Sequence, residues 1–338
     1  MTDLIKTTEP IVAALGSNVR LHLPFPDSPP LFIEPAPGAD YKFEHFLDWA
    51  RASRCELDRL ILHYGGIVLR GFPLRTTDDF NALMECFPPY QRGYSGGWSP
   101  RRQLASRALE STVLERHLRL PVHSEMAYLR DYPPRIAFFC RIAASSGGET
   151  IIADLRRVTA RLPEDVRRLV ASHRIRYARN YAPSGSDIAA AANNPDKVPW
   201  DHAFGTLVRS EVDASCAAMD MSAIWNEDGS LTVVNEVDPF AVHPITGETI
   251  YRSTVHSGGR LAGSVADTTG QAFPTGSSFA DGSRLSEAQT GAIKAVLDEA
   301  TVGWPWQQGD LMILDNLLVA HGRNPYQGER EIQVSLLD

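Results

Sequence analysis

The chain has 338 residues, 43% of them hydrophobic, and a formal charge of −8 at neutral pH. That is enough for one large packed domain or two small ones. The acidic balance argues against nucleic acid or an anionic membrane surface as the main partner, because both attract basic stretches.

In chain order, residues 1–40 carry Pro24, Pro26, Pro29, Pro30, Pro35 and Pro37. They are expected to form an irregular N-terminal arm on a single domain spanning 41–338. From Phe43 to His63, Phe46, Trp49, Ala50, Leu57, Leu60, Ile61 and Leu62 recur at helical spacing. Gly65-Gly66 breaks that pattern, and Ile67-Val68-Leu69 reads as a short strand. Thr77 is placed to cap a second helix over 78–86. Segments rich in β-branched and aromatic residues follow at 135–143, 150–153, 232–237 and 250–251, punctuated by Gly and Pro as in a mostly antiparallel sheet. Ser286 and Gln289 form a capping box opening a helix that runs to about residue 300. Buried-strand candidates lie at 310–314 and 332–336. Residues 183–199, rich in Ala, Asn, Ser and Pro, and 257–284, rich in Gly, Ser and Thr, have the composition of active-site lids or of surface insertions.

The paired basic residues Arg101-Arg102 and Arg156-Arg157 read as solvated faces. Cys55, Cys86, Cys140 and Cys216 form no C-x-x-C pair and read as reduced core residues. The N-terminal stretch lacks the pattern of a secretory signal, and no apolar run approaches the roughly 18 residues of a membrane span. The expected location is the cytoplasm, with no membrane partner.

Val122-His123-Ser124-Glu125 is the sharpest chemical feature. Residues i and i+2 of an extended chain share a face, so His123 and Glu125 can reach one metal. His321, far downstream in Leu317-Leu318-Val319-Ala320-His321-Gly322, supplies a second imidazole. Two histidines and a carboxylate on one side of an octahedral metal form the facial triad of non-haem iron oxygenases, with open positions for cosubstrate and oxygen. Alone, H-x-E arises by chance in a chain with ten histidines.

The surrounding motifs resemble a family. His123-Ser124-Glu125-Met126-Ala127-Tyr128 is similar to the metal strand of TauD/TfdA-type and clavaminate synthase-like oxygenases. Gly147-Gly148-Glu149-Thr150 resembles their G-G-E-T element. Gly309-Asp310, Asp315-Asn316 and His321-Gly322-Arg323-Asn324-Pro325 resemble the block around their second histidine. Leu69-Arg70-Gly71-Phe72, Trp200 through Thr206, and His243-Pro244 through Gly247-Glu248 extend the likeness from about residue 60 to the C-terminus.

The resemblance implies a double-stranded β-helix (a jelly roll, cupin-like and mostly β, with flanking helices). It implies Fe(II) on His123, Glu125 and His321, with 2-oxoglutarate as cosubstrate and O2 as oxidant. Thr150 and Arg330 would take the distal carboxylate of 2-oxoglutarate, for which an arginine fork suits well. Glu125 in place of Asp is similar to the clavaminate synthase-like, amino-acid hydroxylating branch. That branch implies hydroxylation of an unactivated C–H bond in an amino acid, free or as an aminoacyl group on a carrier protein, in natural-product biosynthesis. A retained carboxylate argues against halogenation. Desaturation or cyclisation at the same iron, a zinc or manganese enzyme, and a silent binding protein on the same fold are the alternatives. Arg252-Ser253-Thr254 stands where the family often has an N-Q pair. Tyr128 and Arg252 are the substrate-contact candidates by position.

Overall fold

In a computed structural model, residues 13–26, 28–39, 41–93, 101–111, 114–191, 195–257 and 276–338 are described. Their centre is an eight-stranded sheet in the order Val19–His22, Leu31–Pro35, Gly66–Leu69, Leu311–Asp315, Arg135–Ile142, Glu331–Leu337, Ala108–Glu110, Gln103–Ala105. Leu31–Ile33 runs parallel to Ile67–Leu69, and the other neighbours are antiparallel.

This sheet is buried on both faces, and the period-2 alternation of its side chains sorts them into two cores. Val68, Ile136, Phe138, Met312, Leu314, Ile332 and Val334 join the inner core with Ile152, Ala153 and Val319. The alternate residues Ile67, Leu69, Ala137, Phe139, Leu311 and Ile313 pack outward against three helices, Phe43–Ala52, Arg54–Tyr64 and Thr77–Met84. The inner core belongs also to a four-stranded sheet, Thr301–Val302, Thr150–Asp154, Val319–Arg323, Leu120–His123. The chain is thus mostly β with flanking helices, as a double-stranded β-helix requires. A further sheet, Ser222–Trp225, Leu231–Val237, Ile175–Tyr181, Gly276–Phe279, extends the same core.

Four expectations are corrected. The helical pattern over 43–63 is two helices, broken at Ser53 (φ −90°, ψ 9°). The cap of the next helix is Thr76, not Thr77, because Asp79 then falls three residues inside and closes the reciprocal capping box. The N-terminal arm is not irregular throughout. Leu31, Phe32 and Ile33, each no more than 4% exposed, are apolar enough to form an inner strand of the large sheet despite the flanking prolines. Cys55 is exposed; Cys140 and Cys216 are buried. The Ser286 capping box and its helix Glu287–Ala300 are as expected. Among the described residues no helix is long and apolar enough to cross a membrane.

Of the two lid-like stretches, 183–199 holds two short 3₁₀ turns, Ile188–Ala191 and Pro195–Lys197, with 192–194 outside the described residues. Most of 257–284, namely 258–275, also lies outside them, and Gly276–Phe279 is a strand paired with Ile175–Ala178.

Candidate active site

His123 ends the strand Leu120–His123, and His321 lies opposite it in antiparallel register on Val319–Arg323. Paired residues project to the same side of a sheet, so the two rings meet, centroids 4.7 Å apart. Gly322 permits this approach: a Cβ there would lie 2.4 Å from the Leu120 carbonyl oxygen. Glu125 lies just past the strand, in a turn whose next residue, Met126, is left-handed (φ 55°). The ligand atoms of His123, Glu125 and His321 all lie within 4.8 Å of one another.

The protonation states suit a cation. His123 Nδ1 is 2.9 Å from the Pro121 carbonyl oxygen. It therefore donates there, leaving the Nε2 lone pair for a metal. Burial, with His321 close by, lowers the His123 pKa to about 4, so the ring is neutral. Burial pushes the Glu125 carboxyl up, but Arg101 and His321 outweigh it and bring it to about 2. His321 Nε2 is 3.6 Å from Glu125 Oε2, and its Nδ1 is buried without a hydrogen-bond partner among the described residues. Two imidazoles, that of His123 neutral, and one carboxylate within reach of one another fit a divalent cation.

Three neighbours of this triad have roles that the motifs do not assign. Asn316, fully buried, accepts from the Glu125 N–H (2.7 Å) and donates to the Glu125 and Pro133 carbonyls (2.9 and 2.8 Å). It fixes the peptide that carries the carboxylate. Arg101, expected on a solvated face, is instead 4% exposed in its side chain and pairs with Glu125 Oε2 at 2.8 Å. A buried carboxylate draws in a cation, which surface patterning does not reveal. Arg156 likewise is tied to Glu248 (3.0 Å) and the Leu62 carbonyl (2.9 Å). The third neighbour is a pair. His243 Nδ1 accepts from the Ile245 and Thr246 N–H groups, so its Nε2 carries the proton and donates to Asp315 at 3.0 Å. Asp315 in turn caps the N–H groups of Leu317 and Leu318, at the start of the His321 strand.

Thr150 and Arg330 come together beside the triad. Thr150 pairs with Arg323, two residues along from the Ile152–His321 pair, and so projects to the same side as His321. Arg330 Nη2 lies 3.4 Å from Thr150 Oγ1, while its Nε donates to the Gly148 carbonyl at 2.8 Å. Gly148 is left-handed (φ 75°), and a Cβ there would lie 3.0 Å from the Arg330 Cδ, so the G-G turn admits this arginine. Burial, with Arg323 near, lowers the Arg330 pKa to about 10, which leaves it charged at neutral pH. Among the described residues no carboxylate pairs with it. Trp306 is buried and donates from Nε1 to Thr150 Oγ1 at 3.1 Å. With two N–H donors on its oxygen, the Thr150 hydroxyl hydrogen points elsewhere and is available to an acceptor.

Tyr128 lies in the turn that begins at Glu125, and Arg252 is hydrogen-bonded to the next residue, Leu129. The Tyr128 ring carries the Arg179 guanidinium 4.4 Å above it. Arg252, 5% exposed, donates from both Nη atoms to the Leu129 carbonyl and stacks on Tyr132. Arg252 also borders a small cavity shared with His123 and Ser124.

Comparison with known proteins places this geometry. The family model described as taurine catabolism dioxygenase TauD, TfdA family, matches residues 27–336. The dapdiamide synthesis protein DdaC of Enterobacter agglomerans is 27% identical over 289 residues, 83% of this chain and 84% of that protein. A clavaminate synthase-like protein of Arabidopsis thaliana is 28% identical over 325 residues, 93% of each. Among solved structures, PvcB of Pseudomonas aeruginosa superposes with a TM-score of 0.54 at 16% identity, covering 95% of this chain and 92% of that one. AAD-2, solved in complex with Mn(II) and N-oxalylglycine, gives 0.52 at 11% identity, covering 94% and 96%. A family match running nearly from end to end, on a chain that folds as this one does, makes it a member of the TauD/TfdA family of dioxygenases.

Proposed function

We propose that the chain oxidises an unactivated C–H bond of a small molecule, with Fe(II) on His123, Glu125 and His321 and 2-oxoglutarate anchored by Thr150 and Arg330. The observation that carries this is the pairing of two sites: a buried two-histidine, one-carboxylate cluster, and beside it a charged arginine with no acid partner among the described residues, set against a hydroxyl. A half-buried guanidinium without an acid partner among the described residues is costly unless an anion arrives. Thr150 lies two residues, about 7 Å of extended chain, from the position opposite His321. A short dicarboxylate with one end at the metal suits that spacing. A hydrolytic zinc enzyme gives the Thr150–Arg330 slot nothing to hold.

Bound Fe(II) and 2-oxoglutarate supply the oxidising chemistry, in which O2 and the cosubstrate yield CO2, succinate and an oxygenated substrate. The chain's own groups place the parts. His123 is held in the ligand-ready tautomer by Pro121. Asn316 fixes the Glu125 peptide. Arg330 and Thr150 set the orientation of the cosubstrate, and Phe138, 4.9 Å from the His321 ring, keeps water from that side of the metal ligand.

The substrate we propose is an amino acid, free or as an aminoacyl group on a carrier protein, in natural-product biosynthesis. The similarity to DdaC, named for dapdiamide synthesis, supports it. Arg252, which shares a cavity wall with His123, and Tyr128, in the turn that begins at Glu125, are proposed as substrate contacts.

The test is anaerobic addition of 2-oxoglutarate to the Fe(II)-loaded protein, read by the visible charge-transfer band of the chelate. We expect the band in wild type, its loss in His123→Ala, and a much higher 2-oxoglutarate requirement in Arg330→Met. Folded, iron-loaded wild type without the band contradicts the proposal.

A further inference from the structure

Two arginines converge beside Thr150, and their hydrogen bonds tell them apart. Arg323 is buried and spends its guanidinium on three backbone carbonyls, those of Leu114 (2.8 Å), Glu115 (2.7 Å) and Leu118 (2.7 Å). Arg330 places Nε on the Gly148 carbonyl (2.8 Å) and Nη2 near the Thr150 hydroxyl (3.4 Å), and its Nη1 has no hydrogen-bond partner among the described residues. Arg330 is therefore the one of the two with a donor left for an incoming carboxylate.

Tyr326 touches both. Its ring centre is 5.1 Å from the Arg323 guanidinium carbon and 5.6 Å from that of Arg330, within the range of a cation on an aromatic face. The ring, not the hydroxyl, makes these contacts. Its backbone is held in a short antiparallel pair, Ser146–Gly147 with Tyr326–Gln327, and its N–H donates to the Arg116 carbonyl at 2.8 Å. Two left-handed glycines make the room: a Cβ on Gly147 would run into the Pro325 carbonyl oxygen, and one on Gly148 would lie 3.0 Å from both Tyr326 Cβ and Arg330 Cδ. The same G-G turn thus admits the ring and the arginine together.

We infer that Tyr326 is a positioning residue for the cosubstrate: its ring restrains the plane of the Arg330 guanidinium, while the Gly148 carbonyl holds one edge of it. A planar fork needs both restraints before its remaining N–H can be aimed at a carboxylate. The inference rests on the oxygenase reading above and adds a residue that the motifs do not name. The ring serves a second end. Two guanidinium groups close together repel each other; burial and then Arg323 lower the Arg330 pKa. The negative face of an aromatic ring offsets that repulsion. An aspartate or glutamate in its place would pair with Arg330 and compete with the cosubstrate, whereas a ring leaves the slot cationic until a dicarboxylate arrives.

The test titrates 2-oxoglutarate into the full chain loaded anaerobically with Fe(II), read by the visible band of the chelate, with Fe(II) affinity measured separately by competition with a chelator. We expect Tyr326→Leu to raise the 2-oxoglutarate concentration for half-saturation about fivefold, the scale of one cation–π contact, and to leave Fe(II) affinity unchanged. Tyr326→Phe keeps the ring and should bring half-saturation back to within about twofold of wild type. In Arg330→Met protein, titrated to higher 2-oxoglutarate, Tyr326→Leu should add nothing, because the cation it serves is gone. A melting curve shows that the variants are folded, and Tyr326→Met takes the place of Tyr326→Leu if the latter is not. Wild-type half-saturation in the folded variant without the ring, Tyr326→Phe as weak as Tyr326→Leu, a loss that adds to that of Arg330→Met, or Fe(II) affinity falling in step would overturn the assignment. A missing band in wild type removes the oxygenase reading and this assignment together; a normal band with indifferent Tyr326 variants removes only this assignment.

Discussion

One amide, Asn316, holds both the N–H and the carbonyl of Glu125 and reaches on to Pro133. Asn316→Asp keeps the acceptor but loses the donors to two carbonyls, so the turn carrying the carboxylate loosens. We expect Fe(II) affinity to fall by roughly 10- to 100-fold, the range for groups that orient metal ligands, as measured by competition with a chelator; unchanged affinity would show that Glu125 needs no such clamp. Trp306 makes a second case. Trp306→Phe keeps the ring but frees the Thr150 hydroxyl to rotate, and should raise the 2-oxoglutarate concentration needed for half-saturation about fivefold, one neutral hydrogen bond. In a Thr150→Ala background the same change should add nothing; an additive loss would make Trp306 a packing residue only. The sequence showed the triad because its chemistry sits in residue types and short spacings. It could not show Asn316, Arg101 or Trp306 in these roles, because their partners lie 191, 24 and 156 residues away.

Among elements, the contact between Val319–Arg323 and Leu120–His123 decides whether two histidines meet. Gly322→Ala would drive a Cβ to 2.4 Å from Leu120 O and 2.9 Å from Pro121 C, both backbone atoms that cannot rotate away. We expect a loss of about 3 kcal/mol, the upper end of the overpacking range, together with loss of metal binding; a denaturant midpoint equal to wild type would contradict this. Periodicity made most inner strands and the helix Glu287–Ala300 legible, because their apolar residues and caps are local signals. The strand Leu31–Pro35 was obscured by prolines, and its reason for being a strand is its parallel partner Ile67–Leu69, a tertiary fact. The break at Ser53 was missed because Leu57, Leu60 and Ile61 continue an apolar face across it.

At the scale of the whole molecule, the large sheet separates an outer core under three helices from an inner core that contains the site. His256 lies in that inner region, 6% exposed, its Nδ1 3.1 Å from the Tyr251 hydroxyl. Burial, with Lys294 adding to it, lowers its pKa to about 4, below the value near 6.5 of an unfolded histidine. Its contribution to stability is therefore complete above about pH 6.5 and is lost as pH falls toward 4. In His256→Gln, the fall in melting temperature across that window should be shallower than in wild type; parallel curves would show that His256 does not couple folding to protons. The fold class was legible because several motifs occur in the order the family shows. The burial of Arg101 was not, since it meets Glu125 only once the chain is folded.

The most direct measurement is an anaerobic crystal structure of the protein with Fe(II) and 2-oxoglutarate. The metal should lie on His123 Nε2, a Glu125 carboxylate oxygen and His321 Nε2, with the distal carboxylate of 2-oxoglutarate on Arg330 and the Thr150 hydroxyl. A metal bound away from these three residues, or a cosubstrate carboxylate that avoids Arg330, would contradict the account.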